Sequence, residues 1–230
     1  MDNRFYFDTK DNFIIEGQEA SHLLKVRRAK VGDKIVGFNG DGYDYFLTIE
    51  SIGKDRVVCI CDDKKVNKAY KRDNITVYLA MLKHDALTTA IDYLAELNVK
   101  TVKLFRADYS IAQIDDKKLD KLNYLAMQAS KQCERADIMK IEIIDKRDIA
   151  EDASECNKVF FAYEDARDRV EPFSAKSYAI IIGPEGGFSK LEVEYFSGFS
   201  DTISLGTTIL RAEVACASAV STLKAVNHEG

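Results

Sequence analysis

The sequence predicts an α/β protein in two parts: a small N-terminal β-barrel, then a mostly parallel sheet with helices on both faces. Three observations carry this expectation. Between Lys34 and Cys61, three alternating stretches are separated by Gly40-Asp41-Gly42 and Gly53-Lys54-Asp55, both hairpin signals. From Ile75 onward the rhythm changes to strand–helix alternation, the pattern of a parallel sheet. Between the two lies the polar stretch Lys64–Asn74, whose charge keeps it solvated. The expected domains are therefore residues 1–70 and 74–230.

In chain order, residues 3–7 read as a strand. Gly17–Ala29 reads as a short helix burying Leu23, Leu24 and Val26, and Gly32-Asp33 as a turn. Strands follow at Lys34–Asn39, Tyr43–Ile52 and Arg56–Cys61; short strands with tight turns and little helix indicate a barrel. In the second part, Ile75–Leu82 is an unbroken apolar run, suited to a strand buried on both faces. His84–Asn98 carries Leu87, Ile91, Leu94 and Ala95 at helical spacing. Further strands are expected at Val102–Phe105, Ile141–Ile144, Val159–Tyr163, Tyr178–Ile182 and Thr202–Leu205. Helices are expected at Lys117–Arg135 and Arg211–Asn227.

The 230 residues carry a net charge of −5, which looks wrong for a partner of RNA until it is divided. Residues 1–72 hold 14 Lys/Arg against 12 Asp/Glu, while residues 73–230 hold 19 against 26. Within the first part, Lys25–Lys34 places five cations beside one carboxylate, either a solvated helix end or a local footprint for phosphates. No apolar stretch reaches the length of a membrane span, and Met1-Asp-Asn-Arg-Phe-Tyr lacks the order of a signal peptide. The five cysteines are odd in number and scattered, as in a reduced, cytoplasmic protein. The three histidines are too dispersed for a triad or a metal cluster, so no metal is expected.

Two glycine-punctuated segments carry most of the functional information. Ile180–Ile182 runs into Gly183-Pro184-Glu185-Gly186-Gly187-Phe188-Ser189, and Ser204-Leu205-Gly206 leads through Ile209 and Leu210 to Arg211 and Glu213. Each reads as a buried strand, a glycine turn and a helix, and such turns at the carboxyl ends of adjacent strands bind ligands. The blander reading of the first is a plain helix start, since Ser189-x-x-Glu192 is a capping box and Phe188 with Val193 fits a staple. A P-loop is disfavoured because no Gly-Lys-Ser/Thr follows. The second segment opens a helix rich in small residues: Ala212, Ala215, Ala217, Ser218, Ala219 and Ser221. Glu213 at a helix start is favoured by the macrodipole in any protein. Arg211 gains nothing from that dipole and is the stronger site candidate.

The residues Gly183-Pro184-Glu185-Gly186-Gly187-Phe188-Ser189, with Leu205-Gly206, Ile209-Leu210-Arg211 and Glu213, resemble the RsmE-type 16S rRNA (uracil-N3) methyltransferases of the SPOUT superfamily. The resemblance extends through Arg4–Phe7, His22–Val26, Arg28, Val31-Gly32-Asp33, Lys83, Glu96-Leu97, Val99, Ala129–Gln132 and Arg135. It implies a PUA-like RNA-binding barrel followed by an α/β SPOUT domain with a deep trefoil knot. It further implies a homodimer that uses S-adenosyl-L-methionine (AdoMet) to methylate N3 of a uridine in 16S rRNA, in the assembled small ribosomal subunit. On that basis AdoMet binding is expected at Gly183, Pro184, Glu185, Gly186, Gly187, Leu205, Gly206, Ile209 and Leu210. RNA binding is expected at Arg4, His22, Lys25, Arg27 and Arg28, and catalysis at Arg211 and Glu213. This sequence departs from the family pattern at Val214 for threonine, Asn98 for glycine, Met139 for proline and Arg27 for leucine.

Uracil N3 lies on the Watson–Crick edge, so the base must be unpaired or flipped. Its proton must be removed, and the charge spreading to O2 and O4 must be stabilised. Arginine stays charged and cannot be an ordinary base, so Arg211 suits anion stabilisation or phosphate positioning. The base is Glu213, another carboxylate or water; these stay open. Two other functions also fit the sequence: an RNA-binding protein on a SPOUT scaffold without turnover, and a nucleotide-binding or hydrolytic α/β enzyme, the latter without a nucleophile or phosphate motif.

Overall fold

The computed structural model describes residues 3–8, 12–70 and 74–228. The chain divides into one unit of Met1–Tyr70 with Ser130–Ile138 and another of Lys71–Ala129 with Met139–Gly230. In the first, β1 (Arg4–Tyr6), β2 (Ile14–Glu16), β3 (Lys34–Phe38), β4 (Tyr43–Ile52) and β5 (Arg56–Val66) form one sheet in the order β1-β3-β4-β5-β2. Only the β1–β3 pair is parallel. The expected barrel is a half-barrel. β2 ends after three residues, where Gly17 at φ +60° turns the chain into α1 (Gly17–Ser21). The free edge of β1 is met by a side chain instead of a strand: the Tyr6 N–H donates to Glu19 Oε2 at 3.2 Å.

β5 runs past its expected end, into what the sequence reads as a polar connection. Its tail pairs with the start of β4, and Lys64 explains how so charged a segment stays in a sheet. Its ammonium lies 3.9 Å from the Tyr43 ring centroid and donates to the Tyr45 hydroxyl at 2.6 Å. The helix expected over Gly17–Ala29 is interrupted. After α1 a π-helical turn, His22–Val26, ends at Arg27, and Arg28 takes a left-handed φ of 54°. Val26, expected to be buried, stands outward at the end of that turn, 67% exposed, while Leu23 stays in the core with Phe5, Phe7, Ile15, Leu47 and Val57.

The segment Ser130–Ile138 is tied into this unit by polar contacts. Lys131 pairs with Glu19 at 2.8 Å, and Asn67 donates to the Glu134 carbonyl at 3.0 Å. Arg135, almost wholly buried, pairs with Asp137 at 2.7 Å.

The second unit is a six-stranded parallel sheet. Its strands are β6 (Asn74–Ala80), β7 (Thr101–Phe105), β8 (Lys140–Ile143), β9 (Lys158–Ala162), β10 (Ser177–Ile182) and β11 (Asp201–Ile203), in the order β11-β9-β10-β6-β7-β8. β6 sends Ile75, Val77 and Leu79 to one core and Tyr78 and Ala80 to the other, the two-faced burial that its apolar run predicts. The first face holds apolar residues of α2 (His84–Glu96), α3 (Asp116–Gln132) and α6 (Ala212–Val226). The second holds those of α4 (Ile149–Ala153) and α5 (Lys190–Ser197). α3 ends three residues before its expected limit, because Glu134 takes a left-handed φ of 63°. Asn98, where a glycine is the family habit, also sits at φ 63° just after α2; asparagine tolerates that conformation better than most residues.

Candidate active site

The second unit starts at β6 in the middle of its sheet, builds β7 and β8 to one side, and then places β10, β9 and β11 on the other. The order reverses between β6 and β10, and ligands of open parallel sheets bind beyond the carboxyl ends at such a point. A cavity of about 690 Å³ opens there.

Its first wall is the loop Gly183–Ser189. Pro184 is buried and its carbonyl accepts the Gly187 N–H at 3.0 Å, closing a tight turn. A side chain at Gly183 would place its Cβ 2.6 Å from the Phe188 ring, which folds back against Phe161 and Phe196. Glycine is therefore required where the loop doubles over itself. α5 begins with the expected capping box: Ser189 accepts from the Glu192 N–H, and Glu192 accepts from the Ser189 N–H at 3.0 Å.

Glu192 is 2% exposed and does more than cap. Its Oε1 also accepts the Asp108 N–H and the Lys146 ammonium, each at 2.8 Å. Lys146 reaches Asp108 as well, and the Ser189 hydroxyl donates to Asp108. Hydrogen bonds from Lys146 and then Ser189 hold the Asp108 carboxyl below the usual carboxylate range. Burial alone would lower the pKa of Lys146, but its bonds to Asp108 and Glu192 raise it. This network fixes the end of the first loop to the segments after β7 and β8.

The second wall is Leu205–Leu210. The Ser204 N–H donates to the Asp168 carbonyl at 2.8 Å, and its hydroxyl accepts the Gly206 N–H. Gly206 sits at φ +137°, which disfavours any other residue. Ile209, at 91% exposed, stands outside the core. Arg211 is the N-cap of α6 with extended backbone angles, and Glu213 lies in the first helical turn. Two positions apart on one helix would point apart, yet both line the cavity because Arg211 stands just outside the helix.

Of the nine residues expected to bind a cofactor, Gly183, Pro184, Glu185, Gly187, Leu205, Gly206, Ile209 and Leu210 line the cavity. Gly186 does not. A side chain there would meet Tyr109 Cβ at 3.1 Å, on the opposite side of the loop. Lys83, just past β6, lies among the positions of the family resemblance and also lines the cavity, whereas the lining residues Tyr163 and Glu164, just past β9, escape sequence reasoning. No motif marks Tyr163 and Glu164, although their position beyond the carboxyl end of β9, a strand flanking β10, is a usable signal. Lys83 is also tied to the first wall, since its N–H donates to Glu185 Oε1 at 3.0 Å.

The residues expected to bind RNA belong to the first unit. Lys25, Arg27 and Arg28 are exposed. His22 is half-buried, with its ring 5.9 Å from that of Phe5. Arg4 is 7% exposed: it pairs with Asp44 at 2.7 Å, donates to the Arg135 carbonyl at 2.7 Å and lies over Phe38. Those contacts use its charge internally, so the geometry makes it a structural ion pair. Among the described residues, no cluster of metal-ligating side chains is present and no helix is long and apolar enough to cross a membrane.

Comparison with known proteins bears on this geometry. An RNA methyltransferase domain model matches residues 69–224, and an RNA methyltransferase PUA domain model matches residues 15–60. The chain is 28% identical over 237 residues to ribosomal RNA small subunit methyltransferase E of Rickettsia conorii, covering 96% of this chain and 95% of that one. It is 29% identical over 233 residues to the protein of the same name from Bacillus subtilis, covering 92% and 89%. Its fold matches ribosomal RNA small subunit methyltransferase E from Neisseria gonorrhoeae bound to S-adenosyl methionine, with a TM-score of 0.84, 21% identity and 98% of both chains covered.

Proposed function

The chain belongs to the RNA methyltransferase family whose domain spans residues 69–224, and on that premise we propose that it methylates N3 of a specific uridine in 16S rRNA, using AdoMet. The observation that carries the reading is the single cavity walled by both glycine loops, with Arg211 and Glu213 on its edge.

The residues fit the cofactor. Ile182, Leu205, Leu210 and Ala215 offer an apolar surface for an adenine, the glycine turns let the backbone approach closely, and Glu164 brings a carboxylate acceptor for hydroxyls. When bound, AdoMet supplies a methyl group on a sulfonium sulfur, which leaves as a neutral thioether once N3 has taken the methyl. The protein's part is to position the base and manage the proton. As the N3–H bond breaks, the proton passes to Glu213, to another carboxylate at the site or to water. The pyrimidine gains negative charge, and the fixed charge of Arg211 stabilises it. Because that stabilisation grows only as the anion forms, it speeds the chemical step more than it tightens binding.

The reading extends to assembly. Exposed Ile209, half-exposed Val214 and the small residues of α6 support a homodimer with its sites near the subunit interface. The chain leaves β10, crosses past β9 to β11, and returns as α6 against α2 and β10, a path that supports a trefoil knot. The domain of residues 1–70 would engage RNA through Lys25, Arg27 and Arg28, with His22 beside them, and that of 74–230 would carry the chemistry. The substrate is the assembled small subunit, and the protein is cytoplasmic.

The test is single-turnover methylation of small subunits with labelled AdoMet at saturation. Arg211→Ala should dimerise and bind AdoMet normally yet react about 100-fold more slowly, with Arg211→Lys rescuing it incompletely. A near-normal rate in the alanine variant would remove Arg211 from the chemistry.

A further inference from the structure

In the first unit a cavity of about 360 Å³ opens on the sheet, walled by Lys34 and Val36 of β3, Phe46 of β4, and Asp62, Asp63 and Lys65 of β5. Ile35, Tyr45, Leu47 and Cys59 of these strands belong to the core. The alternate positions of a sheet with one buried face are usually polar. Here Val36 and Phe46 stand opposite each other across β3 and β4, and the Phe46 ring stays 37% exposed.

An irregularity in β5 shapes the wall. Phe46 pairs with Asp63 and Leu47 with Cys61, so Asp62 is an extra residue in the ladder, a β-bulge. The bulge brings two consecutive residues, Asp62 and Asp63, to the cavity. Both carboxylates are already engaged: Asp62 accepts the Thr48 hydroxyl at 2.6 Å, while Asp63 accepts the Lys64 N–H at 2.8 Å and pairs with Lys65 at 3.1 Å. That pair holds the Lys65 ammonium 5.1 Å from the Phe46 ring centroid.

The cavity is continuous with the basic run Lys25–Lys34, of which Lys34 is the last residue. Asn3, also on the wall, donates to the Lys34 carbonyl at 2.7 Å and accepts from Arg27 at 3.4 Å. An exposed ring beside lysines, joined to further cations, matches single-stranded nucleic acid, whose bases stack on aromatic side chains while its phosphates take the charge. A base stacked and paired inside a duplex offers no such face.

We propose that this cavity is a subsite for an unpaired base of the RNA substrate: the base stacks on Phe46, and Lys34 and Lys65 meet the flanking phosphates. It shares no residue with the cavity of the second unit, so the base it takes is not the one that is methylated. The proposal rests on the methyltransferase reading and adds to it a single-stranded feature that the first unit recognises.

The test compares a short labelled single-stranded RNA with its duplex by fluorescence anisotropy, together with methylation of small subunits. Phe46→Leu keeps an apolar side chain in the sheet but cannot stack. It should bind the single strand about tenfold more weakly, with duplex binding and the salt slope unchanged, while Phe46→Tyr stays within about twofold of the parent. Lys34→Gln should lower the salt slope for the single strand by about 0.7. Parental single-strand affinity in Phe46→Leu, equal losses on strand and duplex, or an unchanged slope in Lys34→Gln overturns the subsite. So does a loss confined to the small subunit in Phe46→Leu, which would assign the patch to a protein of that particle. If the parent methylates subunits but binds no single strand, the subsite falls and the methyltransferase reading stands; if it does neither, that reading falls as well.

Discussion

Glu192 is the residue whose loss should be felt furthest. It is 2% exposed and accepts three hydrogen bonds, from the Ser189 N–H at 3.0 Å and from the Asp108 N–H and Lys146 ammonium at 2.8 Å each. In Glu192→Ala both N–H groups lose their acceptor and Lys146 keeps only Asp108. Hydrogen bonds to a charged group contribute about 1.5–3 kcal/mol each, and removing one member of a buried pair costs about 3–5 kcal/mol. Lys146 is partly open to water, which relieves some of its loss. The expected destabilisation is therefore about 3–5 kcal/mol, against a total stability for a domain of about 5–15 kcal/mol. Glu192→Gln keeps an acceptor oxygen but not the charge and should cost about 1–2 kcal/mol. Urea unfolding followed by circular dichroism measures both, with the midpoint falling at an unchanged slope. AdoMet affinity should fall in step, because Ser189 closes the cofactor loop. An alanine variant within about 1 kcal/mol of the parent would show that the network does not hold the loop.

Further outcomes follow from the same geometry. Gly206→Ala should weaken AdoMet binding about tenfold by calorimetry, since φ +137° costs a side chain about 1–3 kcal/mol; unchanged affinity would mean the loop relaxes freely. Lys25→Glu combined with Arg28→Glu should weaken subunit binding and flatten its salt dependence while AdoMet affinity stays constant, because fewer counterions are released. Asp108 has a depressed folded-state pKa, so its contribution is present above the unfolded carboxylate value of about 4 and fades as pH falls through the folded value. The stability gap between parent and Asp108→Asn should therefore close on acidification below about pH 4, and a constant gap in acid unfolding would refute the linkage.

The strand–helix rhythm after Ile75 was legible because the central strands β6 and β10 are apolar on both faces and each glycine loop carries its own punctuation. The capping box at Ser189 is a purely local pattern and is seen as such. The contribution of Arg211 and Glu213 to one wall was not legible, since it depends on Arg211 adopting extended angles at the helix start. Gly186 fits the motif yet faces Tyr109, because a turn of consecutive loop residues presents alternate sides. Arg4 looked like a cation for RNA; Asp44 and the Arg135 carbonyl, far away in sequence, claim it instead. The return of Ser130–Ile138 to the first unit, and the polar network behind the first loop, rest on long-range contacts without a local signature. The charge run Lys64-Lys65 reads as a loop because sequence patterns do not reveal the tyrosines over which Lys64 lies.

The central claim is tested most directly by mass spectrometry of nucleosides from 16S rRNA, purified from cells with the gene, without it, and with the Arg211→Ala form restored. The account predicts 3-methyluridine at one position in the first, its absence in the second, and a trace in the third. Undiminished 3-methyluridine in cells lacking the gene, with no other enzyme able to supply it, would contradict the account.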